Sequence, residues 1–171
     1  MKILIVVDMQ KDFIDGALGS EQARAIVPNV AAKIKGYKNS GGAVLFTQDT
    51  HDEDYLKTQE GVNLPVVHCV EGTDGWRIDE RIDTSDMKIY KKNIFASIEL
   101  AEDLSRVDGI EEIEICGLCT DICVVSNALL IKAKLPEVKI TVDAACCAGA
   151  TKESHQAALL TMKMCQINIL E

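Results

Sequence analysis

The chain is read as an α/β protein: a doubly wound, mostly parallel six-stranded sheet with helices on both faces. Two observations predict this. Short apolar runs alternate along the chain with segments of helical periodicity, and Gly, Pro or polar clusters separate them. The chain has 171 residues and 47% apolar composition, enough to bury one substantial core but short for two domains, so a single domain over 1–171 is expected.

The first strand is Lys2–Val7, a run of aliphatic residues interrupted by Asp8. A helix follows over Gln22–Lys38, with Ala25, Ile26, Val30, Ile34 and Tyr37 on one face and a Gly41-Gly42 turn to end it. Ala43–Thr47 is the second strand. Residues 49–86 are largely polar, with scattered glycines and Pro65, and are expected to form a long irregular insertion; loops of that length in a compact domain are usually functional or lids. Lys88–Tyr90 opens the third strand and Ile98–Val107 is a helix. Glu112–Cys116, in which Ile113 and Ile115 alternate with charge, is the fourth strand. Thr120–Lys134 is read as a helix with Thr120 as N-cap and Asp121 in its first turn. Val138–Val142 and Ile167–Leu170 are two more strands, with a helix over Thr151–Met164 between them. In parallel sheets ligands gather beyond the carboxyl ends of the strands. Asp8, Asp49, Lys92 and Cys123 all fall at such ends.

Composition narrows the function. A net charge of −9 argues against a nucleic-acid partner. The apolar run Ile3–Val7 is too short for a signal-peptide core or a membrane span, so no membrane partner is expected. Seven cysteines, an odd number, point to a reducing compartment, and the expected location is the cytoplasm. Zinc or disulfide roles for Cys116, Cys119, Cys146 and Cys147 fit poorly, because Cys116 belongs to a strand and Cys146 adjoins Cys147. A redox pair at Cys116 and Cys119 lacks the usual helix start between the two.

Cys123 stands out because it follows a strand and sits in the first turn of a helix. Unpaired N–H groups and the positive end of the dipole there favour a thiolate and can bind an oxyanion. Taken alone, such a cysteine is more often a small buried apolar residue. Asp8 alone could be a turn residue, and Lys92 alone a solvated strand end. Their coincidence favours a catalytic group.

Three separated segments, IVVDMQKDFIDG, KKNIF and GLCTDICV, make the chain resemble the isochorismatase-like cysteine hydrolases, and within them the nicotinamidases, over nearly its whole length. The resemblance implies a Rossmann-like three-layer fold, a triad of Asp8, Lys92 and Cys123, and oxyanion donors on the backbone of Cys119 and Cys123. It also implies a cis peptide between Leu118 and Cys119. Lys91 adjoins Lys92, which is preferred for its spacing to Phe95. The chemistry is consistent with these roles: Cys123 attacks an amide carbonyl, Asp8 relays the thiol proton to departing ammonia, and Lys92 offsets the buried carboxylate.

Two of only three histidines fall with carboxylates in the 49–86 segment, giving Asp49, His51, Glu60 and His68 as candidate ligands of one divalent metal. Zinc is the first expectation, with manganese and iron open. Metal-containing nicotinamidases resemble this arrangement, and there the metal positions the substrate's pyridine nitrogen. His155 lies in a helix and is read as structural. Phe13 matches an aromatic that stacks on the ring, although ordinary core packing explains it as well. No aromatic immediately precedes His68, so Phe95 or Trp76 is the candidate second wall. The expected function is hydrolysis of nicotinamide to nicotinate and ammonia through a Cys123 thioester, in a homo-oligomer. A related amidase acting on another small amide, carbamoyl or ureido compound, and a non-catalytic binding protein on this fold, are the alternatives.

Overall fold

The computed structural model describes residues 1–171. Six strands form one sheet in the order β3-β2-β1-β4-β5-β6, and every neighbouring pair is parallel. They are β1 (Lys2–Val7), β2 (Ala43–Asp49), β3 (Lys88–Lys92), β4 (Glu112–Leu118), β5 (Lys139–Ala148) and β6 (Asn168–Leu170). Ile3 to Val7 in β1 and Ile113 and Ile115 in β4 are almost wholly buried, as expected for central strands covered on both faces.

The helices are α1 (Lys11–Ile14), α2 (Glu21–Asn39), α3 (Gln59–Asn63), α4 (Ile98–Leu104), α5 (Val125–Lys134) and α6 (Lys152–Met164). Ser20, Ser97 and Thr151 cap α2, α4 and α6 through their hydroxyls, satisfying N–H groups that have no helical partner. Helix α2 continues through Pro28, and its buried face carries Ala23, Ile26, Val27, Val30 and Ile34.

Several boundaries differ from the sequence expectation: β4 runs on to Leu118, α4 stops at Leu104 and α5 begins only at Val125. Strands β2 and β3 run on to Asp49 and Lys92, which are register partners, so both polar side chains terminate paired strands. Strand β5 continues to Ala148 past a register shift opposite Ile115 and Gly117. The 49–86 segment is less irregular than its composition suggests: a 3-10 turn at Tyr55–Lys57 leads into α3. Asp12 anchors this segment by accepting the Cys69 N–H at 2.8 Å, while the Asp12 N–H donates to the Gly75 carbonyl. No helix is long and apolar enough to cross a membrane.

The sheet order reverses between β1 and β4, opening a crevice beyond their carboxyl ends. There Gly117 adopts φ 119°, and a Cβ at that position would lie 2.1 Å from the Val7 carbonyl oxygen. Only glycine lets the end of β4 lie this close to the end of β1.

Candidate active site

Asp8 and Lys92 enter this crevice from the ends of β1 and β3 and Cys123 from the turn after β4, and all three are buried. Asp8, with φ 48°, accepts a 2.6 Å hydrogen bond from the Thr47 hydroxyl at Oδ1. Its other oxygen lies 2.7 Å from the Lys92 ammonium. Lys92 also lies 3.1 Å from Asp49 Oδ1 and 3.6 Å from the Cys123 sulfur. Burial disfavours the Lys92 ammonium, but Asp8, Cys123 and Asp49 outweigh it and hold the lysine charged. Lys91 points away: it is half-exposed, pairs with Glu71 and lies over the Trp76 ring.

Two details of the Cys123 turn correct the sequence reading. Thr120 is not an N-cap; its hydroxyl bonds His155 Nδ1 at 2.8 Å, and Cys119 precedes the turn instead. The turn over Thr120–Val124 is π-helical, with the Val124 N–H reaching back five residues to the Cys119 carbonyl. Such a turn is a frequent mark of functional sites. The helix start also does not by itself make Cys123 a thiolate. Burial and then the Asp8 carboxylate push its pKa well above the ordinary thiol value, with Lys92 opposing them. Cys123 is therefore a thiol beside a carboxylate that can take its proton. The Leu118–Cys119 peptide is cis, and the Cys119 N–H makes no hydrogen bond within the chain. All seven cysteines are free.

One wall of the crevice holds Asp49, His51 and His68, whose donor atoms lie within 4.8 Å of one another. Asp49 Oδ2 is 2.9 Å from His51 Nε2 and 3.6 Å from His68 Nε2, and Glu60 Oε1 lies 3.8 and 3.9 Å from the same two nitrogens. His68 Nδ1 donates to the Val66 carbonyl at 2.7 Å, so that in the neutral imidazole Nε2 is the lone-pair nitrogen facing the cluster. His51 Nε2 is buried and, despite its proximity to Asp49, makes no aligned hydrogen bond. Burial opposes ionisation of Asp49, yet contacts with His51, His68 and Lys92 hold its carboxyl well below the usual range. Ligands about 2.0–2.2 Å from a shared ion stand about 3–3.5 Å apart, so these residues fit a divalent metal. Tyr55 packs on both imidazoles, with ring centroids 4.6 and 4.9 Å away.

The cavity above these groups has a volume of about 680 Å³. Phe13 and Phe95 both line it, and Phe13 also packs 5.6 Å from the His68 ring. Trp76 does not line it, which removes it as a second wall; its indole N–H bonds Thr50 instead. His155 is held by Thr120 outside the cavity.

Sequence reasoning missed Gln10. Its buried side chain accepts the Asp49 N–H at 2.7 Å and donates to the Asp49 and Trp76 carbonyls, both at 2.8 Å, fixing the end of β2. A polar residue two places after Asp8, in a stretch otherwise buried, was the available signal. Thr47, which orients Asp8, was also missed because it was read only as a strand residue.

The parallel α/β sheet thus brings a cysteine, an aspartate and a lysine into contact at its switch point, and the family match makes the protein a hydrolase. The chain belongs to the isochorismatase family: the isochorismatase domain matches residues 2–170. It is similar to the nicotinamidase/pyrazinamidase of Mycobacterium tuberculosis, 26% identical over 99% of this chain and 98% of the relative. Among solved structures, pyrazinamidase of Pyrococcus horikoshii in complex with zinc superposes with a TM-score of 0.87 at 30% identity, covering 99% of this chain and 98% of that one. Nicotinamidase of Bacillus subtilis superposes with a TM-score of 0.84 at 27% identity, covering 99% of each chain.

Proposed function

We propose that the protein is a nicotinamidase-type amidohydrolase that converts nicotinamide to nicotinate and ammonia, with Asp8, Lys92 and Cys123 as its triad. The single observation that carries this reading is the contact of Lys92 with Asp8, Asp49 and the Cys123 sulfur, which joins the candidate nucleophile to the metal-competent wall in one cavity. The likeness to a nicotinamidase/pyrazinamidase along the whole chain supports it.

In the proposed reaction Asp8 takes the thiol proton as the Cys123 sulfur bonds to the carboxamide carbon. The N–H groups of Cys119 and Cys123 receive the oxyanion, and Lys92 remains charged to balance the carboxylate and the sulfur. Asp8 returns the proton to the amine, the C–N bond breaks and ammonia leaves a thioester. Asp8 then draws a proton from water, whose hydroxyl adds to the thioester carbon. The C–S bond breaks as Asp8 returns its proton to the Cys123 sulfur, and the acid formed gives its carboxyl proton to solvent and departs as nicotinate. Asp49, His51 and His68, with Glu60 beside them, would hold a divalent metal, zinc by preference. When bound, it supplies a Lewis acid for the pyridine nitrogen. Phe13 and Phe95 flank the ring. The reading treats the chain as one catalytic domain with 49–86 as its metal-binding insertion, a cytoplasmic homo-oligomer acting on a small molecule.

Ammonia release from a panel of nicotinamide, pyrazinamide, aliphatic amides and ureido compounds, with and without chelator, tests it. Nicotinamide is expected to be turned over best and to lose activity on chelation. Preference for a ureido or aliphatic compound would assign the site to another amidase.

A further inference from the structure

Asn127 is fully buried on α5, one turn past Cys123. Its carboxamide makes three hydrogen bonds, all to backbone. Oδ1 accepts the Ser97 N–H at 3.0 Å, and Nδ2 donates to the Phe95 carbonyl at 3.1 Å and to the Cys123 carbonyl at 2.8 Å. Residues 93–96, between β3 and α4, have no regular hydrogen-bonded structure, and the bond from Asn127 to the Phe95 carbonyl is the only hydrogen bond they make. This segment follows Lys92 directly and carries the Phe95 ring into the cavity. One side chain therefore ties the backbone of the aromatic wall to the backbone of the candidate nucleophile. Its site is too buried for water to replace it cheaply.

We infer that Asn127 is a positioning residue that sets the Phe95 wall at a fixed place relative to the Cys123 sulfur. The inference rests on Cys123 as the reactive thiol, but not on nicotinamide as the substrate. Asn127→Thr separates the two ties: a threonine hydroxyl can bond the carbonyl four residues back on its own helix, but is too short to reach residues 95–97.

The test compares alkylation of Cys123 by iodoacetamide and by N-phenyl iodoacetamide, with the site followed by peptide mass spectrometry and corrected by Cys123→Ala protein. The wild type is expected to favour the aromatic reagent. Asn127→Thr should lower that preference about tenfold while changing the iodoacetamide rate less than about twofold, the size expected when an aromatic contact is lost. Phe95→Ala should lower it equally, and the double variant no further, because both changes remove the same contact. Thermal melts of each variant report whether it remains folded. Additive losses, equal slowing of both reagents in Asn127→Thr, or no aromatic preference in the wild type would each overturn the inference. A wild type that shows the alkylation pattern but does not hydrolyse nicotinamide would refute the proposed substrate and leave Asn127 in its role.

Discussion

At Cys123 the balance of burial against charge decides the chemistry. Burial and Asp8 hold the thiol protonated, while Lys92 at 3.6 Å favours the thiolate, so the proton should move only when Asp8 accepts it. Asp8→Asn removes the acceptor and also the negative charge that opposes thiolate formation. Amide hydrolysis should fall at least about 100-fold, the scale of a lost general base. The pH at which Cys123 becomes alkylated by iodoacetamide should fall at the same time. A variant that loses hydrolysis with its alkylation profile shifted upward would contradict this role for Asp8. Cys123→Ala should abolish turnover with the fold retained, whereas Cys119→Ala should stay active. The Cys119 thiol, pushed up to about 12 by burial, is assigned no role beyond its backbone. Lys92→Ala should be severely impaired and Lys91→Ala nearly normal, since only the former contacts Asp8 and the sulfur. Equal turnover in the two lysine variants would remove Lys92 from the triad.

At the scale of elements, the strands depend on charged clasps as well as apolar burial. Glu112, at the start of β4, pairs with Lys2 of β1 at 3.2 Å and Lys139 of β5 at 2.8 Å, and Thr141 donates to it at 3.0 Å. Lys139 first, and then Lys2 and Thr141 against the opposing effect of burial, hold the Glu112 carboxyl down to about 2. A carboxyl with a depressed folded-state pKa contributes stability above its unfolded value, about 4.3, and loses it as pH falls towards 2. Glu112→Gln should therefore lower the melting temperature at pH 7 by about 2–4 °C, for roughly 1 kcal/mol of an accessible ion pair, and by less at pH 3. An equal decrease at both pH values would point to packing. The strands were legible for different reasons: β1 is a continuous aliphatic run buried on both faces, β4 alternates isoleucine with charge, and the short, largely exposed edge strands β3 and β6 were legible mainly from their place in the alternation of strand and helix. The π turn before α5 was not legible, because Thr120 followed by acid and apolar residues reads equally well as a cap. What diverts its hydroxyl is His155, which is distant in sequence. The role of Asn127 was hidden for the same reason: both of its loop partners are backbone groups, which carry no sequence signal.

The molecule as a whole joins two separately supported halves at the sheet's switch point. Asp8 follows the end of β1 and Cys123 lies in the turn after β4, while Asp49 ends β2 and His51, Glu60 and His68 belong to the segment beyond it. The first group was legible from motifs and the second from the scarcity of histidine, but only the three-dimensional structure shows Lys92 touching both. A divalent ion bound by the second group would cross-link residues 49–68 in the folded state and have no comparable site in the unfolded chain. Its binding energy then adds to stability. At free metal about 100-fold above Kd the gain is about 2.7 kcal/mol, or roughly 5–10 °C for a chain of this size. Chelator-treated protein should melt lower by that amount and recover when zinc is restored, as followed by scanning calorimetry with elemental analysis. His51→Ala should abolish the recovery. It should also leave alkylation of Cys123 by iodoacetamide almost unchanged, because the charged groups that act on that thiol are Asp8, Lys92 and Asp49, and the imidazole is not among them. A melting temperature indifferent to zinc, with full nicotinamide hydrolysis in metal-free protein, would exclude the metal from both stability and substrate binding.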